Sequence, residues 1–217
     1  MAEYVLTATK GQARAGSFYD RIARFYDLTF KLNGYGRSLD QYFEDHPLPV
    51  FPDARVLDAG CGTGTLTLAL LRTLRVPVKL TALDLSASSM ITAQKYVGKD
   101  IHREQKVQFA QSNILSLPFA DESFDLIVTS GVLEYVPLDE GLSELARVIA
   151  RGGHLLHLPM RPSPVTTFLE MLFRFKAHSP DEVAETTDRY FQVVSHYRFP
   201  PFQAIAWTKT AVLAQKI

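Results

Sequence analysis

The chain has 217 residues, 47% of them hydrophobic, and its 23 basic residues balance 23 acidic ones. This composition supports a sizeable core, excludes a disordered chain, and gives no net charge that would favour nucleic acid or an anionic membrane as a partner. The single cysteine, Cys61, excludes an internal disulfide and favours a reducing, cytoplasmic compartment.

Residues 1–50 are predicted to form a helical cap. The sequence 17–30, SFYDRIARFYDLTF, favours a helix that begins at Ser17, and the sequence 37–46 favours a second, short helix that ends at a group of prolines. No apolar run reaches the roughly 18 residues that a membrane-spanning helix requires, and the first residues lack the apolar segment of a signal peptide. We therefore expect a protein without a transmembrane segment.

From residue 54 onward, short apolar strands alternate with helices. Strands are predicted over 55–60, 78–85, 106–113, 124–130 and 154–159, and helices over 65–74, 86–97 and 138–150. This alternation predicts a parallel sheet that is covered by helices on both faces. Two further segments, 190–199 and 202–213, have no helix between them and are predicted to be antiparallel strands.

The sequence 167–176, TFLEMLFRFK, predicts a helix whose role the pattern leaves open. Phe168, Leu172 and Phe175 recur at helical spacing, which favours a face buried in the core. The alternative is an apolar lid over a hydrophobic substrate, or a surface that touches a membrane with two basic residues at its edge.

The first predicted strand runs into a loop with three glycines. In VLDAGCGTGTL, residues 56–66, Gly60, Gly62 and Gly64 alternate with other residues immediately before a helix. Glycines at a strand-to-helix junction let a ligand approach the backbone closely. The loop completes neither the G-x-G-x-x-G pattern of dinucleotide-binding proteins nor the Gly-Lys-Ser/Thr pattern of a phosphate-binding loop. A ligand with a ribose but no pyrophosphate is therefore predicted.

Polar or glycine residues end four of the predicted strands. They are Asp58 with the glycine loop, Asp84, Asn113, and Ser130 with Gly131. Because the carboxyl ends of parallel strands meet at one edge of a sheet, these residues are expected to converge on a single site. Asp84, placed 20 residues after Gly64, can accept hydrogen bonds from the two hydroxyls of a ribose.

Five motifs connect this chain to a known family. VLDAGCGTG, ALDLS, SNILSLPF, FDLIVTSGVLEYV and ARGGHLLH resemble, in order and spacing, the motifs of the class I S-adenosylmethionine-dependent methyltransferases, over about residues 54–160. The resemblance implies a Rossmann-like α/β fold. Its seven-stranded, mostly parallel sheet would have the order 3-2-1-4-5-7-6, with strand 7 antiparallel, helices on both faces and an N-terminal helical lid. One domain would span 1–217, with the cap at 1–50, the cofactor-binding core at 51–160, and substrate-side helices and antiparallel strands at 161–217.

The resemblance also implies which residues hold S-adenosyl-L-methionine and its product S-adenosyl-L-homocysteine. Asp58 and the glycine loop would face the methionine part, Asp84 the ribose, and Leu85 and Met90 the adenine. The full set of implied cofactor residues is Tyr19, Tyr26, Asp58, Ala59, Gly60, Cys61, Gly62, Gly64, Asp84, Leu85, Met90, Asn113, Ile114, Ser130 and Gly131. Tyr19 and Tyr26 either pack within the cap or belong to a lid over the cofactor. Asn113 departs from the family pattern, in which an aspartate accepts a hydrogen bond from the adenine amino group, but its amide oxygen can still accept one.

The acceptor side is less defined by the sequence. Glu134, Tyr135 and His157 are candidates for contact with the acceptor, each with packing as the alternative, and no catalytic residue or metal ligand is assigned. The opening helix and the LPF loop resemble the family branch that methylates quinone precursors, lipids and other small metabolites. We therefore expect methyl transfer to a small apolar acceptor by a monomer or homodimer, with no nucleic-acid partner and at most weak membrane contact. The alternatives are an RNA or protein methyltransferase and a non-catalytic S-adenosylmethionine-binding protein.

Overall fold

The computed structural model describes residues 34–100, 106–201 and 204–217, so the predicted helix 17–30 with Tyr19 and Tyr26 lies outside the described residues. The described residues form seven strands: β1 Arg55–Ala59, β2 Lys79–Asp84, β3 Val107–Gln111, β4 Phe124–Ser130, β5 Ile149–Leu158, β6 Phe191–Arg198 and β7 Thr210–Lys216. The α-helices of the described residues are α1 Tyr35–Asp45, α2 Thr65–Thr73, α3 Ala87–Asp100, α4 Leu138–Val148, α5 Pro164–Phe173 and α6 Pro180–Thr187.

All seven strands belong to one sheet, in the order β3-β2-β1-β4-β5-β7-β6. β1 lies in the middle and pairs in parallel with β2 and with β4. β7 runs antiparallel to both of its neighbours, β5 and β6. The predicted fold class and strand order are therefore confirmed. Because β7 is reversed, it begins at the same edge of the sheet where the parallel strands end.

Two apolar layers cover the two faces of the sheet. Neighbouring residues of a strand point to opposite faces, so Val56 joins the layer that contains Leu39 of α1 and Leu70 of α2. Leu57, the next residue, joins the layer that contains Leu142 of α4. A strand buried on both faces needs an uninterrupted apolar run, which is why the central strands were recognisable in the sequence.

An arginine of α4 anchors the loop between β3 and β4. Arg147, in the last turn of α4, donates hydrogen bonds to the carbonyl oxygens of Leu117 and Phe119 at 3.1 and 2.9 Å. Its guanidinium also forms ion pairs with Glu144 at 2.8 Å and with Asp121 at 2.7 Å. These hydrogen-bonded carboxylates raise the pKa of Arg147, with Glu144 contributing most. The loop that begins at the end of β3 is thereby tied to α4.

Three segments differ from the sequence-based expectation. β5 begins at Ile149, directly after α4, because Ile149 pairs with Phe124 ahead of the regular register of β4 and β5. The predicted strand 202–213 is wrong in its first half, since Ala204–Thr208 form a 3₁₀ turn before β7. Helix α6 was not predicted, although the Oγ of Ser179 caps it by accepting the N–H of Glu182 at 3.1 Å.

Helix α5 differs from the prediction in its first residue and in which of its side chains are buried. It begins at Pro164, where the Oγ of Ser163 accepts the N–H of Thr166 at 3.0 Å, and it stops at Phe173 because Arg174 adopts a left-handed φ of 55°. The expected burial of Phe168 and Leu172 is wrong: Phe168 is 59% exposed, and the neighbouring Met171 is 79% exposed. At 10 residues α5 is too short to span a bilayer, and no helix in 34–100, 106–201 or 204–217 is long and apolar enough to do so.

Candidate active site

A cleft opens where β1, β2 and β4 end, at the edge of the sheet that the sequence analysis indicated. Of the residues predicted to contact the cofactor, nine line this cleft: Gly60, Cys61, Gly62, Asp84, Leu85, Asn113, Ile114, Ser130 and Gly131. Asp58, Ala59, Gly64 and Met90 lie outside its lining. The fold therefore brings the ends of four strands together around one concave surface, as ligand sites of open α/β sheets require.

The carboxylate of Asp84 is fixed at the wall of the cleft. Oδ2 accepts the backbone N–H of Gly62 at 2.8 Å, and Oδ1 accepts the backbone N–H of Ser86 at 2.8 Å. One side chain thus links the end of β2 to the glycine loop after β1. A carboxylate oxygen can accept more than one hydrogen bond, and the half-buried side chain lines the cleft. Asp84 can therefore accept hydrogen bonds from ligand hydroxyls without releasing the loop.

A larger residue is disfavoured at each of the three glycines of the loop, but for different structural reasons. A Cβ on Gly60 would lie 2.7 Å from the Cβ of Val132, and a Cβ on Gly64 would lie 3.1 Å from the Cβ of Ala93 in α3. These two positions are restricted by close packing of the protein itself. A Cβ on Gly62 would meet nothing within 4 Å, although its φ of +53° disfavours any other residue. Of the three, Gly62 is the position where a Cβ would lie in open space.

Asp58 lies fully buried outside the lining of the cleft. Its Oδ2 accepts a hydrogen bond from the Oγ of Thr67 at 2.5 Å, whereas Oδ1 has no hydrogen-bond partner. Burial raises the pKa of Asp58 to about 7, with the hydrogen bond from Thr67 opposing the shift. A buried carboxylate with one unpaired oxygen is costly alone and is stabilised by a nearby positive charge.

Asn113 lines the cleft, whereas Met90 and Ala59 support the residues behind it. The amide oxygen of Asn113 accepts the N–H of Leu115 at 3.0 Å and so shapes the turn after β3. Met90 packs against Cys61 in a small apolar cluster behind the loop. The carbonyl oxygen of Ala59 accepts a hydrogen bond from the Oγ of Thr129 at 2.8 Å, which ties β1 to β4.

Tyr35 and Lys209 are among the lining residues that the sequence analysis missed. Tyr35, at the start of α1, shares a 2.8 Å hydrogen bond with the Oγ of Ser130, and burial raises the pKa of its hydroxyl. Lys209, directly before β7, places its Nζ 3.3 Å from the carbonyl oxygen of Leu158. A lysine inside the apolar run AIAWTKTAVLA was a signal that could have identified the second.

The three residues predicted to contact the acceptor differ in whether they line the cleft. Tyr135 lines the cleft, and its ring lies 5.7 Å from that of Phe175. Glu134 is buried: its Oε1 accepts the N–H of Met160 at 2.6 Å, and its Oε2 has no partner. His157 is also buried, with neither ring nitrogen hydrogen-bonded, and burial lowers its pKa to about 3. The imidazole of His157 is therefore neutral at physiological pH.

Comparison with known proteins identifies the family. A model described as a methyltransferase domain matches residues 57–157. Demethylmenaquinone methyltransferase of Mycobacterium sp. (strain KMS) is 30% identical over 220 residues, which cover 97% of this chain and 86% of that protein. The chain belongs to the S-adenosylmethionine-dependent methyltransferases. Another relative of this methyltransferase is the ubiquinone/menaquinone biosynthesis C-methyltransferase of Hahella chejuensis, 28% identical over 90% of this chain and 80% of its own length.

A solved structure of another methyltransferase has the same fold as this chain. Geranyl diphosphate C-methyltransferase from Streptomyces coelicolor, crystallised with Mg²⁺, a substrate analogue and S-adenosyl-L-homocysteine, superposes with a TM-score of 0.68. The match covers 83% of this chain and 76% of that one at 17% sequence identity, so it demonstrates a common fold.

The cofactor of this methyltransferase is S-adenosylmethionine, and the cleft fits it. The open space at Gly62 and the fixed carboxylate of Asp84, both in the lining of the cleft, suit a ligand with ribose hydroxyls. The N-terminus of α2, which follows the loop, adds backbone N–H groups that favour the ligand's carboxylate. The cofactor supplies a methyl group on a sulfonium, which is a good leaving group without protonation.

Proposed function

We propose that this methyltransferase transfers the methyl group to a ring carbon of a small, lipid-like acceptor, a hydroxylated quinone precursor with an apolar tail. One structural observation carries the proposal. The cleft combines a polar half, around Asp84, with an apolar half that includes Val132, Tyr135 and Val136. The similarity along 97% of the chain to a demethylmenaquinone methyltransferase supports the same acceptor class.

The polar half would hold the cofactor. Asp84 accepts hydrogen bonds from the ribose hydroxyls, and Asn113 with Ile114 borders the adenine. The glycine loop approaches the methionine end, and the buried charge of Asp58 stabilises its ammonium group. The other proposed cofactor residues are Tyr19, Tyr26, Ala59, Cys61, Leu85, Met90, Ser130 and Gly131. Methyl transfer then requires mainly in-line geometry and exclusion of water, which the protein supplies by shape.

The apolar half would hold the acceptor, and α5 would bring it from a lipid surface. Tyr135 contacts Phe175, which shares an apolar cluster with Phe173 at the end of α5. The opposite face of α5 exposes Val165, Phe168, Met171 and Leu172. Arg174 and Lys176 are exposed just beyond that face. Exposed apolar side chains bordered by basic ones are typical of helices that bind the surface of an anionic membrane.

We also propose that the chain forms one domain over 1–217 and acts in the cytoplasm as a monomer or homodimer. The buried, unpaired thiol of Cys61 is compatible with a reducing compartment. Light scattering of the purified protein measures the oligomeric state, and fractionation of the source cells measures the location.

Methyl transfer to defined acceptors tests the proposal. Purified protein is incubated with methyl-labelled S-adenosylmethionine and, separately, with 2-geranyl-1,4-naphthoquinol, total RNA or a protein extract. We expect label in the quinol, at the ring carbon beside the prenyl group, identified by mass spectrometry of the extracted product. Label that enters RNA or protein but not the quinol would contradict the proposed acceptor class.

A further inference from the structure

Lys209 is buried at the edge of the sheet where substrates bind. Its side chain is 1% exposed, yet the residue lines the active-site cleft. The reversed direction of β7 explains this position, because the residue before β7 lies beside the end of β5. A lysine at the other end of β7 could not reach the cleft.

The ammonium group of Lys209 has few partners. Nζ lies 3.3 Å from the carbonyl oxygen of Leu158 and 5.9 Å from the centre of the Tyr35 ring. Within the described residues, the bond to Leu158 is the only hydrogen bond that Nζ forms, and no carboxylate forms a salt bridge with it. Lysine can donate three hydrogen bonds. At least one donor direction is therefore available to a ligand in the cleft.

Most of the titratable side chains around Lys209 carry no negative charge that could neutralise its ammonium group. Burial lowers the pKa of the Lys209 ammonium, and the charge of Glu134 opposes that shift. Burial and the charge of Lys209 lower the pKa of His157 in β5, so its imidazole is neutral. Tyr35 of α1 keeps its proton because burial raises its pKa. Among the residues that the structure describes, Glu134 is the acid whose charge acts on Lys209, and its Oε2 has no hydrogen-bond partner there. A buried, incompletely paired cation favours an anionic ligand.

The order of the strands indicates whether the cofactor or the acceptor lies next to Nζ of Lys209. The glycine loop, Asp84 and Asn113 follow β1, β2 and β3, which lie on one side of β4. Lys209 reaches the cleft from β5 and β7, on the other side of β4. A Cβ added to Gly131, after β4, would lie 3.4 Å from Nζ. Nζ therefore lies on the acceptor side, beyond the strand that separates the two halves.

We infer that Lys209 binds an oxyanion of the acceptor, a phenolate or enolate oxygen next to the carbon that receives the methyl group. The inference rests on the proposed function for the presence of an acceptor in this half of the cleft. The acceptor hydroxyl loses its proton to water, and the negative charge is shared between its oxygen and the neighbouring ring carbon. That carbon bonds to the methyl group as the methyl–sulfur bond breaks, and its ring proton then passes through water to the oxygen, which restores the hydroxyl.

Two naphthoquinones test the oxyanion site by binding alone. 2-Hydroxy-1,4-naphthoquinone is an anion at neutral pH, and 2-methoxy-1,4-naphthoquinone is its neutral counterpart. Both are titrated into the protein saturated with S-adenosylhomocysteine, for the wild type and for Lys209→Met. We expect the wild type to bind the anion at least tenfold more tightly than the neutral compound, and Lys209→Met to lose that preference while it binds the neutral compound as before.

Lys216→Met is the matched control. Lys216 ends β7, the strand that Lys209 directly precedes, and its Nζ also donates to a backbone carbonyl, that of Ile149 at 2.7 Å, but at the far edge of the sheet. This variant should keep the preference for the anion. Equal wild-type affinity for the two naphthoquinones would overturn the inference. So would a Lys209→Met variant that loses affinity for S-adenosylhomocysteine at least tenfold and keeps the preference, because the anion bound would then be the cofactor's carboxylate.

Measurements of turnover distinguish a failure of this inference from a failure of the proposed function. With 2-geranyl-1,4-naphthoquinol, Lys209→Met should lower kcat/KM at least tenfold and weaken its rise with pH, with the affinity for S-adenosylhomocysteine changed less than twofold. If the wild type binds the anion through Lys209 but does not methylate this quinol, the proposed acceptor fails and the oxyanion site stands. If the wild type methylates the quinol and Lys209→Met matches it at every pH, the oxyanion site fails and the proposed function stands.

Discussion

Thr67 donates a 2.5 Å hydrogen bond to one oxygen of the buried Asp58, and the other oxygen of that carboxylate is unpaired. Because burial raises the pKa of Asp58 from 3.8 to about 7, the folded protein keeps a proton that the unfolded chain loses at lower pH. The folded state binds more protons than the unfolded state throughout this interval, so the contribution of Asp58 to stability declines as the pH rises through it.

Asp58→Asn should remove this pH dependence. The free energy of unfolding of the wild type should fall relative to that of Asp58→Asn as the pH rises from about 4 to about 7, and the difference should be constant at higher pH. Urea denaturation at a series of pH values measures it. The exposed Asp139, replaced by Asn, is the control and should follow the wild type. Parallel curves for the wild type and Asp58→Asn would show that Asp58 is ionised in the folded protein throughout.

Asp84→Ala should weaken S-adenosylhomocysteine binding by about 1.5–3 kcal/mol, because a charged acceptor of hydrogen bonds is lost. The same change removes the acceptor for the N–H of Gly62, so the glycine loop loses its link to β2. Calorimetric titration gives the affinity, and thermal unfolding shows whether the variant is folded. Asp139→Ala, outside the cleft, should bind normally. A folded Asp84→Ala with wild-type affinity would exclude a role in holding the ribose.

Alanine at Gly60 should act mainly on stability, and alanine at Gly62 should act on ligand binding as well. Gly60→Ala places a Cβ 2.7 Å from the Cβ of Val132, and overpacking of this kind costs about 1–3 kcal/mol of stability in addition to the strain of alanine at a φ of +81°. Gly62→Ala meets no neighbour and should cost only the backbone strain, about 1–2 kcal/mol, but it fills space kept for the ligand. Denaturation and calorimetry measure the two effects separately. Val132→Ala should restore part of the stability lost in Gly60→Ala and none of that lost in Gly62→Ala.

The exposed face of α5 should bind vesicles that contain phosphatidylglycerol. Replacing both Phe168 and Met171 by Ser should reduce cosedimentation with these vesicles several-fold, because burial of each large apolar side chain contributes about 1.5–3 kcal/mol. Ile91→Ser, which removes a 67% exposed apolar side chain from α3, is the matched control. Equal cosedimentation of the double variant and the wild type would leave α5 without a role at membranes.

The convergence of the strand ends on one cleft was predictable from the sequence because local patterns encode it. Apolar runs such as Val56–Leu57 mark buried strands, and the residue that follows each run must lie at the edge of the sheet. Tyr35 and Lys209 have no such pattern. Tyr35 meets Ser130 across 95 residues of sequence, and Lys209 meets Leu158 across 51, so their places follow only from the tertiary arrangement.

The burial of α5 could not be predicted from helical spacing alone. Phe168, Leu172 and Phe175 share a face only if the helix continues through residue 175. The left-handed turn at Arg174 ends it, so Phe175 turns into the protein while Phe168 remains outside. The start of α6 was encoded more clearly. Ser179, Pro180 and the acids Asp181 and Glu182 form an N-terminal capping pattern that was overlooked.

The anchoring of the β3–β4 loop by Arg147 makes that loop and the last turn of α4 a single cooperative unit. The N–H of Leu117 donates to Glu144 at 2.7 Å, and Glu144 is itself held by Arg147. Breaking any of these contacts exposes the others, so the loop cannot open while the end of the helix stays closed. The amide proton of Leu117, although it belongs to a loop, should therefore exchange with solvent at the rate of the amides in the last turn of α4.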